Sequence, residues 1–343
     1  MARTAVVIAP GRGSYNKPEL GYLRRHHAGS PLLPGFEAVR QAEGQEALAD
    51  LDGAERHSVA RHGRGDNAAA LIFACGLCDY QAIAADIEVL AVTGNSMGWY
   101  TALACAGVLG PAEGFRLANT MGTLMHAHGE GGQLVYPVTG ADWRDDPARR
   151  EALMAEVARI DAAPGAMLAL SIDLGGLLVL AGNAAGLEAF EAAVPVVEGR
   201  YPMRLGQHAA FHTGLMAPVA ERGRKALADL APGQPRVPLV DGRGAIWWPG
   251  ASDPAALWDY TLGHQVVAPY DFTRAVTVAA REFAPELFIL LGPGGTLGGA
   301  VAQSLLRAGW KGLADKPGFE ALQAQTGLLA AMGREDQRGV VVG

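Results

Sequence analysis

The chain has 343 residues, half of them hydrophobic and 18% charged. That is enough apolar material for a packed core and excludes a disordered chain. Its 28 basic residues against 35 acidic ones leave a net charge of −7, which makes it a poor candidate for nucleic-acid binding, a task that normally needs a basic face.

Alanine-rich stretches alternate with Val/Leu/Ile runs, so the reading is α/β. Residues 4–10 (TAVVIAP) read as a buried strand stopped by Pro10. The short apolar run before that proline is too brief for a secretory signal. The turn Gly11-Arg12-Gly13-Ser14 follows, and residues 16–65 read as polar and irregular with helical patches. Residues 66–85 read as a helix. It carries Cys75 and Cys78 three positions apart, on one face, as buried thiols without a second pair for zinc. With Cys105, three sparse cysteines fit a reducing compartment, and a cytoplasmic location is expected.

Residues 87–94 (IEVLAVTG) read as a second buried strand, followed by Gly94-Asn95-Ser96-Met97-Gly98 and an alanine-rich helix. Residues 112–128 form the next expected helix. From about Gly129 to Arg204 the pattern is strand, helix, two strands around a glycine turn, then helix. This order resembles a ferredoxin-like unit. Residues 129–204 are therefore expected as a small α+β subdomain inserted into a core made of 1–128 and 205–343. In that second part, residues 211–230 read as a helix, 237–242 as a strand, 253–267 and 269–283 as helices, and 286–292 as the last strand. The tail from Gly333 reads as an edge segment or loose chain. No segment approaches the ~18 apolar residues of a membrane span, and no histidine or acidic cluster has metal-ligand spacing.

The most informative segment is Gly94-x-Ser96-x-Gly98, placed between an apolar strand and a helix. A serine there sits on a tight turn that lifts its hydroxyl above the sheet, with a helix N-terminus beneath any oxyanion formed. Glycines on both sides avoid steric clash. Such a serine needs a base. Most of the nine histidines lie in polar stretches and are expected at the surface. His212, where a loop turns into a helix, is the candidate base, and His208 is the local competitor.

Taken in order, five segments resemble the malonyl-CoA:acyl-carrier-protein transacylase family, which includes the acyltransferase domains of fatty-acid and polyketide synthases. They are Pro10-Gly11-Arg12-Gly13-Ser14, Gly94-Asn95-Ser96-Met97-Gly98 with its following helix, Phe211-His212-Thr213-x-Leu215-Met216, Gln265-Val266-Val267-Ala268-Pro269, and Leu291-Gly292-Pro293-Gly294. The resemblance implies a hydrolase-like α/β core, with a parallel sheet flanked by helices, plus an inserted ferredoxin-like α+β subdomain. It implies a ping-pong S-acyltransferase with acyl-CoA as substrate, an acyl carrier protein as partner, and no bound cofactor or metal. Ser96 would be the nucleophile and His212 the base. The backbone N–H groups of Met97 and Arg12 would form the oxyanion hole, and a carbonyl at Gln265 would orient the histidine. A monomer with no membrane or nucleic-acid partner is expected.

Three departures bear on the acyl group. Malonyl-selective members carry an arginine about 25 residues after the serine, and here that position is Met121. Arg116, five residues earlier, lies about 140° round the helix and cannot simply substitute. Taken alone, Met121 predicts an acyl group without a carboxylate. Arg12 adds a charge beside the elbow, either as a relocated carboxylate or CoA-phosphate receptor, or as an ion-pair partner of Glu19 or another acid. Asn95 and Trp99 replace the usual His and Glu, and with Met121 they are expected to shape the acyl pocket. A thioester hydrolase of the same fold and a non-catalytic carrier-protein-binding module are the alternatives.

Overall fold

The computed structural model describes residues 2–343. Eleven strands form two sheets. In chain order they are β1 (Arg3–Ala9), β2 (Ile87–Gly94), β3 (Gly132–Pro137), β4 (Leu168–Leu174), β5 (Leu177–Gly182), β6 (Met203–Arg204), β7 (Leu239–Val240), β8 (Ile246–Trp247), β9 (Tyr270–Asp271), β10 (Leu287–Leu290) and β11 (Leu329–Ala331).

The larger sheet has the order β11-β10-β1-β2-β7-β8, parallel throughout except for the final β7–β8 pair. From Ala5 to Ala9 its central strand β1 is apolar and buried, because both faces of the sheet are covered there. Ala5, Val7 and Ala9 point into one core, and Val6 and Ile8 into the other, as the two-residue period of a strand requires. The helix Gly65–Gln81 is buried from its first residue to Asp79, and all three cysteines are buried free thiols.

The smaller sheet has the order β6-β3-β5-β4-β9. Its first four strands, with helices Pro147–Asp161 and Ala184–Ala193, give the β-α-β-β-α-β succession of a ferredoxin-like unit. The fifth strand comes from outside residues 129–204. Tyr270 and Asp271 pair in parallel with Ile172 and Asp173 of β4.

Residues 16–65 do hold the expected helical patches, as short helices at Tyr22–His27, Leu33–Ala42, Leu48–Asp52 and Val59–His62 joined by turns. Several expectations are corrected. The helix expected from residue 211 starts later, as a 3-10 turn at Gly214–Met216 and then Ala217–Ala226. Tyr270–Asp271, read as helical, is strand. Leu287–Leu290 is not the last strand, because β11 pairs beside it. The tail is fixed rather than loose. Helix Glu335–Arg338 lies there, and Val342 bridges to Ile83.

The surface expectation for most histidines also fails at His27 and His62, which are buried. His62 Nε2 meets the Leu51 carbonyl at 3.0 Å. His27 Nε2 meets the fully buried carboxylate of Asp79 at 2.7 Å, and Arg338 Nη1 donates to the same oxygen at 2.7 Å. Tyr22 Oη and the Gly292 amide each donate to its other oxygen at 2.7 Å. Burial pushes the Asp79 pKa up, but His27, Arg338 and Tyr22 together hold it below the usual carboxylate range. One carboxylate thus fastens the N-terminal helices, the loop after β10 and the C-terminal tail.

Among the described residues no helix is long and apolar enough to cross a membrane, and no cluster of three potential metal ligands occurs.

Candidate active site

β1 and β2 are neighbours, with Ala9 paired to Gly94. The loops after both strands therefore leave the sheet side by side at its carboxyl edge, where ligands bind in open α/β sheets. The Asn95 amide donates to the Ala9 carbonyl at 2.9 Å. The turn is too tight for side chains at either glycine of the motif. A Cβ on Gly94 would lie 2.3 Å from the Gly98 carbonyl carbon, and one on Gly98 would lie 2.2 Å from the Ala9 oxygen. Ser96 itself has φ of 54°, a left-handed conformation that costs energy in a non-glycine residue. Helix Gly98–Cys105 begins directly after it.

His212 reaches the same point from 116 positions away. Its Nε2 lies 2.8 Å from Ser96 Oγ. Its Nδ1 lies 2.7 Å from the backbone carbonyl of Gln265. A carbonyl can only accept, so Nδ1 carries the hydrogen and Nε2 is left as the acceptor for the serine hydroxyl. His212 also has a left-handed backbone, φ 59°, and its amide donates to Val266 at 3.2 Å. The Gln265 side chain closes the frame by donating to the Ser96 carbonyl at 3.0 Å and accepting from Tyr100 Oη at 3.2 Å. Tyr270 Oη donates to the Gly94 carbonyl at 2.6 Å. The backbone N–H groups of Met97 and Arg12 carry no hydrogen bond among the described residues.

Burial pushes the His212 pKa down to about 4, against a smaller upward pull from its bond to Gln265. The ring is therefore neutral near pH 7 and able to accept a proton. The rate of any reaction that passes the Ser96 proton to this ring is accordingly expected to stay level from neutrality to about pH 5 and to fall about tenfold per unit below about pH 4. A pH profile of kcat/KM checks this, and an acid limb centred near 6.5 would contradict it.

His208, the competing histidine, lies elsewhere in the cleft. Its Nδ1 meets Gln133 Oε1 at 2.9 Å. Gln133 Nε2 donates to Ser171 Oγ at 2.6 Å, and that hydroxyl donates to the Phe211 carbonyl at 2.8 Å. The terminal carbonyl fixes the direction of the whole chain, so His208 Nδ1 is the donor. This relay ties β3 and β4 to the residue just before His212, a link that sequence spacing does not reveal.

The remaining candidates separate. Arg12 lines both cavities that Ser96 lines. One, of ≈ 20 Å³, is bounded by Ser96, Met97, Tyr100, Met125, Phe211 and His212. The other, of ≈ 290 Å³, opens between the sheets, with Asn95 on one side and Val135, Ile172 and Val179 on the other. Met121 lines neither. It is fully buried, with its sulfur packed on Gly223, where a Cβ would come within 2.6 Å. Trp99 lines neither as well; its indole donates to Thr261 at 3.0 Å and stacks edge-on against Tyr260. Met125, one helical turn beyond Met121, takes the cavity position. Arg116 is at the surface, bonded to Asp229 at 2.6 and 2.8 Å.

No family model matches the chain. It is 28% identical over 209 residues to the malonyl CoA-acyl carrier protein transacylase of Salmonella typhimurium. That match covers 61% of this chain and 63% of the relative. It is 30% identical over 308 residues to the protein of that name from Mycobacterium tuberculosis, covering 87% of this chain and 92% of the relative. The crystal structure of malonyl-CoA:acyl carrier protein transacylase from Xanthomonas oryzae superposes with a TM-score of 0.74 at 21% identity, covering 100% and 99% of the two chains. A malonyl-transacylase solved in complex with a type II polyketide synthase acyl-carrier protein gives a TM-score of 0.70 at 21% identity, covering 94% and 99%.

Proposed function

Because the chain belongs to the malonyl-CoA:acyl-carrier-protein transacylase family, we propose that it moves an acyl group from coenzyme A to the thiol of an acyl carrier protein through an ester on Ser96. The observation that carries this reading is the 2.8 Å contact of Ser96 Oγ with an imidazole whose other nitrogen is tied to a carbonyl. Ser96 Oγ attacks the thioester carbonyl carbon while its proton passes to His212 Nε2. The C–S bond breaks, and the departing thiolate takes that proton. The incoming thiol then gives a proton to Nε2 and attacks the ester, and Ser96 leaves with the proton restored. The free N–H groups of Met97 and Arg12 are the oxyanion donors, each worth about 3 kcal/mol of barrier. Donation from the backbone leaves this role open to whatever side chain stands at position 12. The residues that recognise the acyl group depart from the family pattern, because Met121 replaces the family's carboxylate-binding arginine and packs on Gly223, outside both cavities. The molecule needs no metal or bound cofactor for these steps.

Incubation with an acyl-CoA and a holo acyl carrier protein is expected to give acylated carrier, with the acyl-enzyme visible by intact mass when the carrier is omitted. Free acid as the main product would instead mark a thioester hydrolase. Carrier binding without any acyl-enzyme would mark a docking module.

A further inference from the structure

We propose that Arg12 is the receptor for a terminal carboxylate on the transferred acyl group, so that the substrates are short dicarboxylic acyl thioesters held from the opposite loop to residue 121. This deepens the proposed function and rests on it.

Arg12 is half-buried and remains a cation, its pKa lowered by desolvation only to about 10. Nη2 donates to two backbone carbonyls, Gly63 at 2.7 Å and Gln207 at 2.8 Å, and neither neutralises it. Nε is buried with no hydrogen-bond partner among the described residues. The acid that acts on Arg12, Asp66, is held by Arg64 through both oxygens at 3.1 Å. The ion pair with Glu19 considered from sequence is not formed; Glu19 instead accepts from the Asn16 amide at 2.8 Å. His208, its pKa pushed down to about 3 by burial and, to a lesser extent, by the nearby Arg12, is neutral and supplies no counter-charge. A half-buried cation with a buried, unpartnered Nε and no counter-ion carries a desolvation cost, and an anionic ligand offsets it.

The shapes of the cavities say where the anion belongs. The ≈ 20 Å³ space beside Met125 holds about one water and no acyl group. The ≈ 290 Å³ space has Ser96, Arg12 and Asn95 on one wall and β3, β4 and β5 side chains on the other. A chain esterified to Ser96 thus runs along an apolar wall with a cation beside it. The phosphates of coenzyme A are separated from the sulfur by the whole pantetheine arm. Arg12 also lines a third cavity, of ≈ 320 Å³, with Gly63, His62 and His208, and it is where its walls meet those of the Ser96 cavity that the cation is placed for the acyl end of the substrate.

The test compares acylation of the full chain by acyl-CoA pairs differing in a terminal carboxylate, malonyl against propionyl and succinyl against butyryl, read by intact mass. All four carry the same CoA phosphates. In the wild type the carboxylated member of at least one pair is expected to react at least about tenfold faster. In Arg12→Gln that ratio should drop by about 100-fold, the order for removing one member of a buried charge pair, and Arg12→Lys should keep part of it. A wild-type preference for propionyl and butyryl overturns the assignment whether or not the variants fold. An equal loss with both members of each pair also overturns it, because it marks a CoA-phosphate contact. Acylation by neutral acyl-CoAs alone leaves the proposed function standing, whereas no acyl-enzyme from any of the four removes both.

Discussion

Ser96→Ala is expected to lower the rate of acyl transfer by about 10⁴-fold or more, and His212→Ala to come close to the same value, with the double variant little worse than either. The hydroxyl and the imidazole act as one unit. Without the ring, the serine proton has no acceptor at its 2.8 Å contact; without the oxygen, the ring has nothing to activate. Single-turnover assays with each variant measure this directly. Losses that simply multiplied in the double variant would show that the two groups act independently. Residual activity should reflect the two backbone donors and the cleft alone.

The second large effect concerns stability. Asp79→Ala is expected to destabilise the fold by about 3–5 kcal/mol, because it leaves Arg338 and His27 buried without the carboxylate that compensates them. Arg338→Ala should cost a similar amount by stranding Asp79, and the double replacement should cost less than the sum of the singles. Denaturant titration of the three variants gives the coupling. Additive losses would show that the group contributes no more than its separate packing.

The parallel core, the elbow and the pair Ser96 and His212 were legible because each leaves a local signal. An unbroken apolar run marks a strand covered on both faces, and glycines two residues either side of a serine mark a turn that admits no Cβ. What stayed hidden depends on partners far away in the chain. His27 looks like a surface residue until Asp79, 52 positions on, and Arg338, 311 positions on, close around it. The two-residue strands β6, β8 and β9 are too short to show a period. Met121 and Trp99 were placed by their distance from Ser96, but sequence distance along a helix does not say which neighbour offers room. Gly223 opens a space for the methionine sulfur, and Thr261 offers the indole an acceptor, so both turn from the cleft.

The edge strand Tyr270–Asp271 limits what can be exchanged between relatives by recombination. Excising residues 129–204 as a cassette would strip β4 of its neighbour and expose Ile172 and Asp173 as an open hydrogen-bonding margin, a template for aggregation. It would also cut the Asp173 carboxylate off from Thr273 and Arg307, which bind it at 2.7 and 3.0 Å, leaving only Arg150 within the fragment. A graft that respects the molecule's own seams has to carry the strand at 270–271 along with the piece it borders.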